Sequence, residues 1–146
     1  MTEIKFITCN DSEYETVKSI RTCVFTVEQG ADGESEFDRY DNSSLFALLY
    51  RDKKAVGTAR VVLTEKGYKI GRIAILKEYR GQGLGADIVK AVCEKAFEKG
   101  AETVYVDAQN YAVPFYQKLG FKVIGAEITD RGLPHIPMML KGENNG

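Results

Sequence analysis

The chain has 146 residues, 44% of them apolar and 28% charged, which suits a packed core without disulfides or metals and excludes a chain disordered throughout. Its 20 Lys and Arg against 21 Asp and Glu leave a formal net charge of −1, which argues against a nucleic-acid partner bound by phosphate neutralisation. There is no run of 18 apolar residues, so no membrane-spanning helix and no membrane partner are expected.

The length fits one domain over 1–146. The amino-terminal run MTEIKFITCNDSEYE lacks the apolar stretch of a signal peptide, so a cytoplasmic protein is expected. Cys9, Cys23 and Cys93 are odd in number and far apart, and the chain has one histidine. They read as reduced thiols, and no metal site is expected.

In chain order, residues 4–8 read as a strand. Asn10, Asp11 and Ser12 offer N-cap chemistry to a helix whose apolar positions Val17, Ile20, Val24 and Phe25 recur three and four apart. Gly30 and Gly33 break it, and the acidic stretch 34–42 shows no clear period. Three β-rich runs follow, 45–50, 55–63 and 68–76, joined by turns short enough to require antiparallel hairpins. Over 83–99 the period becomes helical, with Leu84, Ile88, Val89, Val92, Cys93, Ala96 and Phe97 on one face. Residues 103–108 form a strand parallel to the one before that helix. A short helix over 112–119 carries Pro114 in its first turn. Two closing strands are expected over 121–125 and 135–140. The order predicts an α+β fold with a mixed sheet, parallel at its centre.

The most informative segment is Arg80-Gly81-Gln82-Gly83-Leu84-Gly85, between a strand and an amphipathic helix. Glycines there let the backbone approach a ligand closely. The helix start beyond them offers free N–H groups and a positive dipole end to phosphate oxygens, and Arg80 adds charge. Residues 81–86 also satisfy the dinucleotide pattern G-x-G-x-x-G/A. The preceding strands are hairpins, however, and too little chain follows for a second Rossmann half. A Walker loop is excluded because no Gly-Lys-Ser/Thr occurs there.

This segment matches the pattern Gln/Arg-x-x-Gly-x-Gly/Ala of the GNAT N-acetyltransferase superfamily. The run Ala112-Val113-Pro114-Phe115-Tyr116-Gln117-Lys118-Leu119-Gly120-Phe121 resembles the second family motif, A-x-x-x-Y-x-K-x-G-F. The segments VFTVEQ at 24–29 and DRGLPH at 130–135 are similar to the small bacterial ElaA/YjcF-like group.

The resemblance implies a centrally splayed sheet of six to seven strands between helices, a three-layer α/β/α sandwich. It further implies acetyl-CoA as cosubstrate, with no metal, and an amine of a small molecule or peptide as acceptor. A homodimer is left open. The pantetheine arm would lie in the splay, on backbone groups of Ile73, Ala74 and Ile75, and Gln109 would bond it. The pyrophosphate would sit on Arg80, Gly81, Gln82, Gly83, Leu84 and Gly85. Tyr116 aligns with the tyrosine that donates to the departing sulfur.

An amine with a pKa near ~10.4 is almost wholly protonated at pH 7, so a base is required. The candidates are Glu28, Asp38, Asp41 and His135, with Glu28 and His135 placed on the acceptor side. Arg72 stands where many family members carry a glutamate, so the usual base does not transfer. Tyr111 and Phe115 are expected to pack. The rival readings are a CoA-binding regulatory module without turnover and a dinucleotide-dependent reductase.

Overall fold

The computed structural model describes residues 1–30, 39–130 and 132–142. Strand β1 (Thr2–Ile7) leads into α1 (Tyr14–Arg21), which continues without a break as a π-helical segment, Thr22–Glu28. The meander β2 (Leu45–Arg51), β3 (Lys54–Thr64) and β4 (Gly67–Ile75) is followed by α2 (Leu84–Glu98), β5 (Thr103–Gln109) and α3 (Val113–Lys118). Strands β6 (Lys122–Val123), β7 (Ile128–Asp130) and β8 (Leu133–Lys141) close the chain.

The strands form one eight-stranded sheet in the order β1-β2-β3-β4-β5-β8-β6, with β7 paired to β8. The strand beyond the expected six to seven is β7, which makes a hairpin with β8 through Ile128↔His135 and Asp130↔Leu133. Its three residues are too short to show an alternating period in the sequence. The expected strand 121–125 shortens to Lys122–Val123, because the Phe121 side chain turns into the core, where 3% of it stays exposed. The N-cap expectation at 10–12 is also corrected. The Asp11 carboxylate accepts the Thr8 backbone N–H at 2.8 Å, closing the turn after β1, and α1 starts at Tyr14, after an N-cap residue, Glu13, that makes no side-chain cap.

The run LFALLY becomes β2 with Phe46, Ala47, Leu48 and Leu49 all fully buried, which requires cover on both faces. Phe46 and Leu48 pack with Val17, Ile20, Val24 and Phe25 on the α1 side. Ala47 and Leu49 pack with Ile88, Val92 and Tyr116 on the side of α2 and α3. The result is the expected sandwich of helix, sheet and helix.

Two irregularities shape the centre of the sheet. Between Thr58↔Ala74 and Arg60↔Gly71, Ala59 alone faces Arg72 and Ile73, a β-bulge. Arg72 sits there at φ +49°, an uncommon conformation for a side chain with a Cβ. The extra residue reverses the alternation, so Ile70 belongs to the α2-side core and Ala74 to the α1-side core. Strands β4 and β5 are parallel, and among the described residues their one register pair is Lys69↔Tyr105. Beyond it the strands diverge.

Candidate functional site

The divergence leaves the β4 edge beyond Lys69 without a register partner on β5, so its backbone groups are offered to whatever enters the gap. A cleft of about 80 Å³ opens there, lined by Phe25, Gln29, Gly71, Arg72, Ile73, Val106, Asp107, Gln109, Tyr111, Ala112, Tyr116 and His135. Four residues chosen from the sequence, Ile73, Gln109, Tyr116 and His135, thus meet at one place.

Alternation along β5 buries Val104, Val106 and Ala108 and leaves Tyr105, Asp107 and Gln109 partly exposed on the opposite face. Gln109 Nε2 donates to Gln29 Oε1 at 2.8 Å, and Gln29 Nε2 donates to the Tyr111 hydroxyl at 3.2 Å. Tyr111, expected to pack, is instead 70% exposed and stands on the rim of the cleft. Phe115 does pack, edge-on against Tyr116 at 5.1 Å.

Tyr116 is held from the other side by Phe121, edge-on at 5.4 Å. No hydrogen bond to a described residue engages its hydroxyl, and burial pushes its pKa well above that of an ordinary tyrosine. The phenol therefore stays protonated, as a donor must. His135 is 2% exposed, and its Nδ1 lies 2.9 Å from the Leu133 carbonyl oxygen. A carbonyl can only accept, so Nδ1 carries the proton and Nε2 is left to act.

Two of the carboxylates named as candidate bases, Glu28 and Asp41, are engaged. Both oxygens of Glu28 accept from the Arg80 guanidinium, Nη2–Oε1 at 2.8 Å. This bidentate pair holds the Glu28 carboxyl below the usual carboxylate range, the wrong direction for a base. Asp41 is 5% exposed. It accepts from Arg21 at 3.0 Å, Arg60 at 2.9 Å and Tyr14 at 2.5 Å. Three donors thus hold this buried carboxylate. Asp38 lies outside the described residues.

The glycine loop runs from β4 into α2 with Gly81 at φ +80° and Gly83 at φ +79°. A Cβ on either would meet nothing within 4 Å, so the backbone faces open space. No side chain caps α2 at Gly83, which leaves its first N–H groups to a ligand. The loop is tied down at two points: Arg80 Nε donates to the Ile75 carbonyl oxygen at 2.9 Å, and Arg51 donates to Gln82 Oε1 at 3.0 Å. Arg80 is thus a strut between the end of β4 and the π-helical segment.

A second, larger cleft of about 630 Å³ lies beside the β3–β4 hairpin, with Lys69, Ile70, Tyr105, Ile128 and Met138 among its lining. Gly71, Arg72, Val106 and Asp107 line both clefts, so the two spaces meet across the splay. The sequence reading did not single out Lys69 or Asp107. Asp107 reads as an ordinary outward residue of an alternating strand, and only the pairing of β4 with β5 sets it between two cavities.

An open glycine loop before a helix start, beside a splayed parallel pair, can receive a phosphate-bearing ligand with an extended arm. The description of an acetyltransferase (GNAT) domain matches residues 10–141. The chain belongs to the GNAT acetyltransferase family. It is 36% identical over 131 residues to the uncharacterized N-acetyltransferase YjcF of Bacillus subtilis, covering 89% of this chain and 94% of that protein. The crystal structure of Escherichia coli ElaA superposes with a TM-score of 0.85 at 24% identity, over 97% of this chain and 100% of that one. An acyl-CoA N-acyltransferase from Pseudomonas aeruginosa superposes at 0.83, again at 24% identity, over 94% and 99%. These two structures bear on the fold, and the family match bears on the chemistry. As a GNAT protein the chain is an acyl-CoA N-acyltransferase, with acyl-CoA as cosubstrate and an amine as acceptor. Among the described residues no helix is long and apolar enough to cross a membrane, and no group of His, Cys, Asp and Glu could hold a metal ion.

Proposed function

We propose that this GNAT enzyme transfers an acetyl group from acetyl-CoA to a primary amine of a small molecule or peptide, by direct attack in a ternary complex. The observation that carries this reading is the Tyr116 hydroxyl, protonated and without a described partner, in the gap where β4 offers unpaired backbone.

Acetyl-CoA supplies an activated acyl carbon and a thiol leaving group. The N–H groups at the start of α2, approached over Gly81 and Gly83, hold the pyrophosphate. The exposed β4 edge at Ile73, Ala74 and Ile75 and the Gln109 amide hold the pantetheine arm. A backbone N–H of that edge polarises the thioester carbonyl. His135 Nε2 takes one proton from the acceptor ammonium and releases it to water. Tyr116 gives its hydroxyl proton to the departing sulfur and recovers one from the acceptor nitrogen. The nitrogen so loses two protons and gains one C–N bond as the C–S bond breaks, and the enzyme ends as it began. Glu28 and Arg80 position the loop and take no part in proton transfer.

The test has two stages. Acetyl-CoA at a hundred times its dissociation constant adds about 2.7 kcal/mol to stability, so it raises the thermal midpoint and NAD(H) does not. Thiol release is then followed over amino acids, polyamines, aminosugars and peptides. Equal shifts from both ligands would remove the cofactor assignment. Acetyl-CoA binding with neither thiol release nor a further thermal shift from any amine would make the chain a CoA-binding regulatory module.

A further inference from the structure

Lys69 and Asp107 form an ion pair at the mouth of the splay, with Nζ–Oδ2 at 2.5 Å. Lys69 belongs to the last register pair before β4 and β5 diverge, so the backbone holding it is fixed by the sheet. Asp107 follows two residues beyond Lys69's partner, Tyr105, and lines both clefts. The side chains are 39% and 22% exposed, so this is a half-open pair whose exchange costs little. It lies at the junction of the two clefts.

A simple amine arriving there replaces Lys69 on Asp107 and leaves the lysine without its carboxylate. A simple acid does the reverse. A molecule with an ammonium and a carboxylate on one carbon satisfies both ends, and the flexible lysine stem lets Nζ move aside to receive it. The cleft's remaining charges are of both signs, Glu65 and Asp130 against Lys66 and Arg72, with Arg60 on Asp41, which favours neither a polyamine nor a polyanion. On the face that carries Lys69, Val62 is buried at 4% exposed, and Ile124 and Ile128 stand 49% and 43% exposed at the rim. About 630 Å³ is ample for a small molecule.

We propose that the acceptor is an α-amino acid with an apolar side chain, its ammonium on Asp107, its carboxylate on Lys69 and its side chain along Ile124 and Ile128. The proposal rests on the acetyl-transfer reading above and specifies its substrate.

The experiment is thiol release from acetyl-CoA with the L-amino acids, their decarboxylated counterparts such as isoamylamine and phenethylamine, and polyamines. Leucine, phenylalanine or a similar amino acid is expected to exceed its amine by at least about tenfold in kcat/KM, the scale of a charged contact. Lys69→Met, checked for folding by its thermal shift with acetyl-CoA, should collapse that ratio through a raised KM for the amino acid. Amines equal to amino acids, or a ratio that survives Lys69→Met, overturn the proposal and leave acetyl transfer standing. If no acceptor turns over, the thermal midpoint of the CoA-saturated protein decides. A further rise with leucine but not isoamylamine supports the proposal, and no rise or equal rises overturn it. Absence of any shift with acetyl-CoA overturns the acetyl-transfer reading and this proposal with it.

Discussion

At the scale of single residues, the site turns on how each polar side chain is already engaged. Tyr116 is clamped between Phe115 and Phe121 with its hydroxyl kept protonated by burial. Tyr116→Phe keeps the clamp and removes the donor, so acetyl-CoA binding should survive while kcat and kcat/KM fall together by about 10²-fold. Steady-state rates beside a thermal-shift titration check this, and an unchanged kcat removes Tyr116 from the chemistry. Glu28 makes the opposite case. Its carboxylate serves Arg80, so Glu28→Gln should leave kcat within about threefold, where loss of a true base costs about 10²-fold or more. A fall of that larger size would restore Glu28 as the base. Tyr116 was legible as a candidate because it sits in a short motif of fixed spacing. The engagement of Glu28 and Asp41 was not, because their partners Arg80, Arg21 and Arg60 lie 52, 20 and 19 positions away.

At the scale of elements, small departures from regular geometry place these residues. The π-helical continuation of α1 shows in the bond from Gln29 N–H to the Val24 carbonyl at 3.1 Å, five residues back. It keeps Val24 and Phe25 in the core while Glu28 and Gln29 reach Arg80 and Gln109. Nothing in the apolar period of 17–25 distinguishes it from an α-helix, since one widened turn barely shifts which positions face inward. The glycine loop was legible, because positive φ at a helix entry is a backbone property that glycine itself reveals. Gly83→Val meets no neighbour but must hold φ near +79°, at a cost of about 1–2 kcal/mol. The variant should fold with a modestly lower thermal midpoint and lose acetyl-CoA binding. Near-native affinity by calorimetry would show that the phosphates lie elsewhere.

At the scale of the whole molecule, the sandwich seals α2 against the sheet, and burial raises the Cys93 thiol from 9.0 to about 12. Between those values the unfolded chain has released the proton and the folded chain has kept it, so the unfolded state binds fewer protons and stability falls as pH rises. Urea unfolding from pH 8 to 11 should show this slope in the native chain and a shallower one in Cys93→Val; equal slopes would mean that the thiol is not sealed. The same burial was visible in outline beforehand, since apolar period alone set Cys93 on the inner face of its helix. By itself the sequence determined what depends on neighbours along the chain: the hairpins, the amphipathic α2, the glycine turn and the motif tyrosine. Tertiary structure decided what depends on residues brought together from afar. It placed β7 on β8, closed Asp41 between two arginines and took Glu28 for Arg80. It also ended the β4–β5 pairing after Lys69↔Tyr105. That last event sets Lys69 and Asp107 at the junction of two clefts, and no local pattern encodes it, because strand divergence follows from a bulge on one strand and the packing of two helical layers at once.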